Sequence, residues 1–365
     1  MHATEALAEA DRLMVVCNSC RYCEGLCAVF PAMEMRRSFA DGDLNYLANL
    51  CHSCGACYTD CQFSPPHEFQ VNVPQTLALV RNQSYAAYAQ PRMMARFFAG
   101  NDRKAAIVSL AAVIVFALAF AFGGQNREAA RAGRMFYALM PHNAMAGAFG
   151  LVAVLALRAM VLGLRAFWRD IQAPTAQRLS WPAFWPAIWR AMSDAASLRY
   201  LDGGGAGCED DAKPDSRRFY HHFTFYGFML CFAATSIATL YHYSFGREAP
   251  YPLWDLPVVL GTFGGIGLLI GPPGLYLAKK ARNPALRDAG AQGMENAFLA
   301  LLFLTAASGL ALLALRATPL LTPALALHLG VVMGLFITMP YGKFVHGIYR
   351  FAALVNYAME RKAHG

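Results

Sequence analysis

Six long apolar runs dominate this chain, at 104–122, 142–164, 219–243, 256–278, 296–315 and 320–345. Each is close to the ~20 residues a helix needs to cross a bilayer core, and in lipid a segment must satisfy its own backbone polar groups. The runs therefore predict an all-α membrane domain of six spans. The turn between the fifth and sixth falls at Thr318 and Pro319. Composition agrees, with 57% hydrophobic and 15% charged residues. The formal charge of +8 does not point to nucleic acid, because most Lys and Arg lie in loops between apolar runs, where membrane topology accounts for them.

Their distribution also orients the chain. One side collects Arg96, Arg103 and Lys104, the basic residues from Arg165 to Arg218 (Arg178 and Lys213 among them), those from Lys279 to Arg287, and Arg350, Arg361 and Lys362. The other holds Arg127, Arg131, Arg134, Arg247 and Arg316. The positive-inside rule then predicts a multi-pass membrane protein with both termini in the cytoplasm. The opening MHATEALAEADRLM has no apolar core with a cleavage site, so no signal peptide is expected. A stretch at about 165–218 links the second and third spans. Its WPAFWPAIW reads as an interfacial belt. Its GGGAGC, ending at Cys208, does not follow a strand and open a helix, so it is no dinucleotide fingerprint.

Residues 1–95 differ in kind, being polar and cysteine-rich, and predict a small cytoplasmic domain ahead of the membrane domain at 96–365. Cys17-x2-Cys20-x2-Cys23-x3-Cys27 is followed by Cys51-x2-Cys54-x2-Cys57-x3-Cys61. This is the spacing of a ferredoxin with two [4Fe-4S] clusters, in which the fourth cysteine of each run reaches the other cluster. Cys17, Cys20, Cys23 and Cys61 would hold one cluster; Cys51, Cys54, Cys57 and Cys27 the other. Zinc knuckles would leave half of these cysteines without a role. The proline that usually follows the fourth cysteine comes later here, at Pro31 and Pro65. The 23 residues between Cys27 and Cys51 include the periodic FADGDLNYLANL, which predicts an inserted helix and hence an α-helical ferredoxin.

Histidines in or at the ends of the spans carry the second signal, because an ionisable group at membrane depth is costly. The candidates are His142, His221, His222, His242, His328 and His346. At 3.6 residues per turn His221 and His242 share a face of the third span, and His328 and His346 a face of the sixth. His222 points nearly opposite to His242, so His221 is preferred. Antiparallel spans would pair His221 with His346 near the cytoplasm and His242 with His328 near the outer face, giving one or two b-type haem sites. Pro340 threatens the register of the second pair. The glycines of GTFGGIGLLIGPPG suit either a porphyrin against backbone or close helix packing.

Several strings carry a family resemblance: Cys51-His52-Ser53-Cys54-Gly55-Ala56-Cys57 through Cys61, PPHEFQVNVP, GGGAGC, RRFYHHFTFYGFMLCF from Arg217, and the IATLYHY that holds His242. In these the chain resembles the tricarballylate (citrate) utilization protein B family, similar in turn to the C-terminal half of the cobalamin-pathway protein CobZ. The resemblance covers nearly the whole chain. It implies an α-helical ferredoxin fused to a cytochrome of the nitrate reductase gamma-subunit type. It further implies a role reoxidising the flavin of an FAD-dependent partner dehydrogenase that converts tricarballylate to cis-aconitate, with membrane quinone as acceptor. CobZ-like electron supply in cobalamin synthesis is the alternative within this class. A redox-sensing transporter and a haem-free anchor are the readings from other classes. The histidines argue against the transporter, since they lie near the two faces rather than at a midplane site, whereas the anchor would take them as interfacial and would be favoured by absence of haem.

Overall fold

A computed structural model describes residues 2–98, 102–123, 139–172, 181–201 and 216–364. Arg127, Arg131, Arg134, Arg178, Lys213 and the glycine run with Cys208 lie outside the described residues.

All regular structure among the described residues is helical. The head is built from α1 (Glu5–Cys20), α2 (Val29–Glu34), α3 (Asp41–Leu50), α4 (Ala56–Thr59), α5 (Val73–Tyr88) and α6 (Arg92–Phe98). Local signals set its boundaries. The Thr4 hydroxyl accepts from the Leu7 amide to cap α1, and Asn72 caps α5 with Pro74 in its first turn. The helix expected between the two cysteine runs is α3.

Then follow α7 (Asp102–Gly123), α8 (His142–Gln172), α9 (Trp181–Ala196), α10 (Ser216–Phe245), α11 (Leu256–Ala281), α12 (Gln292–Leu315), α13 (Leu321–Thr338) and α14 (Val345–His364). Six of these, α7, α8 and α10 to α13, are long and apolar enough to cross a membrane. Their outward faces expose Ile107, Leu110, Val115, Phe122, Leu151 and Leu155. Apolar surface this continuous suits lipid rather than water. The Trp-rich stretch is itself helical: α9 buries Ala187 and Ala191 and leaves Trp185 and Trp189 exposed, the arrangement of an interfacial helix.

Glycines decide two of the helix pairs. A Cβ on Gly264 would come within 2.8 Å of the Cys231 amide and the Gly227 carbonyl, and one on Gly330 within 2.4 Å of the Val113 Cα. Backbones touch along α10–α11 and α7–α13, so the glycines of α11 serve close packing.

One expectation needs correction. The sixth span does not run unbroken to residue 345: α13 ends at Thr338, a 3₁₀ turn covers Met339–Tyr341, and α14 starts afresh at Val345. Pro340 lacks an N–H and its ring clashes with the preceding turn, which ends the helix there. His328 and His346 therefore sit on different helices.

The core of the head extends beyond its own six helices. Leu13, Met14, Met33, Leu44, Leu47 and Leu77 are fully buried, and the same cluster takes in Phe167 and Ile171 of α8 and Tyr349 and Ala353 of α14. A buried polar network pins this joint. Arg36 donates to Asp43 at 2.5 Å and to Glu360 at 2.6 Å, and Tyr46 donates to Glu360 at 2.9 Å. These four side chains are all nearly inaccessible to solvent. Removing one member of a buried ionic network costs ~3–5 kcal/mol, because the remaining charge stays desolvated. Glu360→Ala is expected to lower the thermal unfolding midpoint of the detergent-purified protein, followed by its helical circular dichroism. An unchanged midpoint would show that Glu360 does not stabilise the joint.

Candidate functional site

The eight clustered cysteines gather around two adjoining cavities. The outer, about 240 Å³, is lined by Cys17, Cys20, Cys23 and Cys61, together with Cys57. The inner is smaller and is lined by Cys27, Cys51, Cys54 and Cys57. Cys17 and Cys20 ride the last turns of α1, and Cys51 caps α3. Each run therefore sends its last cysteine, Cys27 or Cys61, to the other run's group. None of these eight forms a disulfide.

Burial is the main force on the thiols. It pushes Cys17 up to about 12, helped by Cys23, Cys61 and Cys20, and it raises Cys27, Cys54 and Cys57. Free thiols here stay protonated, so metal binding must expel protons. Amide donors already face the sulfurs: Ser53 N–H lies 3.3 Å from Cys51 Sγ, and the amides of Val29 and Phe30 reach Cys27. No three His, Cys, Asp or Glu among the described residues converge closely enough for a single ion. Four thiols ringing a cavity without meeting at one point form a donor set that fits a polynuclear cluster.

The loop bearing the inner group is fastened from four sides. Arg81 donates to Cys51 O at 2.6 Å and to Ser53 Oγ at 3.0 Å. Arg350 donates to Cys51 O at 2.7 Å, and Arg217 to His52 O at 2.9 Å and Ser53 O at 3.2 Å. Arg282 also donates to Ser53 O. These arginines come from α5, α14, α10 and the end of α11. Burial among other guanidinium groups lowers Arg282 and Arg350 to about 10, with desolvation the larger cause in both, which still leaves them charged at neutral pH. Charge counting along the sequence assigned three of the four to membrane topology alone. The missed signal is that Arg217 and Arg350 each lie four residues from a histidine.

Those histidines are His221 and His346. The structure brings them together at the head end of the helices, with ring centroids 6.2 Å apart. His346 Nδ1 lies 2.6 Å from the Lys343 carbonyl, so Nε2 is left as the free lone pair. Burial, with Arg350, Lys343 and His221 nearby, holds His346 well below the usual imidazole range, neutral and able to ligate. His221 Nδ1 is buried without a hydrogen-bond partner. This pair is a donor set that would hold a haem iron, were one bound. His222 instead stacks beside Tyr226.

At the far end the expected pairing of His242 with His328 is replaced. His242 stacks on His142, the first residue of α8, at 3.5 Å between centroids, and His328 Nδ1 lies 3.0 Å from Ser308 Oγ. Helical phase located the right face of α10 but not the helix opposite it. Rings stacked at 3.5 Å leave no room for an iron between them, so this pair does not fit a bis-histidine haem.

A helical head with ferredoxin-like cysteine groups, seated on six helices long and apolar enough to span a membrane, defines a membrane-bound ferredoxin-like protein. Residues 99–365 match citrate utilization protein B, and residues 10–87 match the citrate utilization protein B Fer4-like domain. Citrate utilization protein B of Escherichia coli is 49% identical over 363 residues, covering 98% of this chain and 94% of that protein. The chain belongs to the citrate utilization protein B family. No solved structure matches it.

Gly55 makes the inner loop possible. Its φ of +99° favours glycine, and a Cβ there would stand 2.7 Å from Leu286 Cδ1. Gly55→Ala is expected to destabilise the head by ~1–3 kcal/mol, the usual cost of such a backbone position. A thermal melt of the purified protein reads this as a lower midpoint, and an unchanged midpoint would refute it.

Proposed function

We propose that the chain is the membrane electron-transfer partner of a flavin-dependent dehydrogenase in citrate or tricarballylate utilization, carrying electrons from the reduced flavin to membrane quinone. The observation that carries this reading is a pair of one-turn couplings. On α10, Arg217 holds the inner cysteine loop and His221 lies four residues on. On α14, His346 lies four residues before Arg350, which holds the same loop. Residues four apart share a helix face, so two helices each link the inner cysteine group to the histidine pair.

When bound, two [4Fe-4S] clusters and a b-type haem supply the one-electron steps. The residues order them. Cys20 is exposed, and neighbouring Tyr22 is 72% exposed, which makes the outer group accessible to a partner. The inner group is shielded, with Cys51 buried beneath the arginines. Cys57 lines both cavities and bridges the two levels. In this reading residues 1–95 receive electrons and 96–365 deliver them into the membrane. Lys279, Lys280, Arg282, Arg287 and Arg350 cluster at the helix ends beneath the head, which supports a cytoplasmic head under the positive-inside rule. The bond chemistry of the substrate belongs to the partner.

Purified protein is expected to contain roughly eight non-haem irons per chain, falling to roughly four in Cys20→Ser or Cys54→Ser. A pyridine haemochrome assay should find one b-type haem, lost in His221→Ala and in His346→Ala but retained in His142→Ala. Haem retained in both of the first two variants would sink the assigned site.

A further inference from the structure

The two cysteine groups sit in opposite electrostatic surroundings. Asp60 is part of the outer cavity's lining, and no arginine is. The inner cavity has no carboxylate in its lining, and four guanidinium groups bond to the backbone from Asn49 to Ser53 around it. Among the described residues no carboxylate forms an ion pair with Arg81, Arg282 or Arg350. Their positive charge is directed at the cysteine loop and is not neutralised by a neighbouring acid there.

Reduction adds one negative charge to a cluster. Burial opposes that charge and lowers the potential, whereas nearby positive charge and hydrogen bonding raise it. The inner group is the more buried of the two. Burial alone would make it the harder to reduce and would hold electrons at the surface of the head.

We propose that Arg81, Arg282 and Arg350 hold the redox potential of the inner centre above that of the outer one, so that electrons run inward. The inference rests on the two-cluster reading above. The step moves one electron from the centre held by Cys17, Cys20, Cys23 and Cys61 to that held by Cys27, Cys51, Cys54 and Cys57. The first is oxidised as the second is reduced, no bond forms or breaks, and no proton is required. The electron originates from the partner's reduced flavin.

Redox titration of the full-length detergent-purified protein, monitored by electron paramagnetic resonance of the reduced clusters, tests it. Two transitions are expected, the upper one missing in Cys54→Ser and the lower one in Cys20→Ser. Arg282→Gln and Arg350→Gln should each shift the upper midpoint downward and leave the lower one in place. Arg282→Lys keeps the charge without the forked donor and should restore most of the shift, which a purely structural role would not predict. An upper midpoint unmoved in both glutamine variants, or an upper transition that disappears in Cys20→Ser, overturns the inference. A wild-type protein with only one cluster overturns the underlying reading as well, and iron analysis reveals that before any variant is made.

Discussion

Four arginines on four different helices converge on the backbone between Asn49 and Ser53. A backbone carbonyl accepts from a guanidinium more strongly than from a neutral donor. The loop is thus bolted to the ends of α10, α11 and α14 as well as to α5 within the head. Gly55 lets the chain turn beneath the bolt, and Cys51 and Cys54 are placed by it. The clamp sets the register between the inner cysteine loop and the histidines below, and it acts together with the Arg36–Asp43–Glu360 network that joins the head to α14.

The membrane helices supply the rigidity against which the clamp works. Backbone contact along α10–α11 leaves little play between the helix carrying Arg217 and His221 and the one ending at Arg282. Glu295 at the start of α12 pairs with Lys279 of α11 at 2.9 Å and with Lys343 ahead of α14 at 2.6 Å, tying three helix ends together directly beneath the head. Lys343 is also the residue whose carbonyl orients His346. The ion pairs and the histidine geometry are therefore parts of one arrangement.

Much of this was legible from residue spacing. A three-residue cysteine rhythm places successive thiols around one cavity, and Cys27 and Cys61, which follow a longer gap, face the other run's cavity. The number of apolar helices was readable because bilayer thickness sets their length, though the last run was read past its end at Thr338. Spacing says less about which helices face each other. His242 and His328 share a plausible level, yet α8 brings His142 against His242, and Pro340 separates His328 from His346. Charge was read incompletely for a related reason: Arg282 and Arg350 look like topology markers alone until the fold shows that they also fasten the cysteine loop.

Arg36 and Glu360 form a buried contact across 324 positions of sequence. The head is made first as the chain is synthesised, but Tyr349, Ala353 and Glu360 complete its interior only after all six spans have been made. Arg350 of the same helix bonds to the Cys51 carbonyl, so the inner cysteine loop gains its last fastening only when α14 docks. The helix made last thus completes the seat of the part made first, and the head reaches its final packing only once the membrane part is in place.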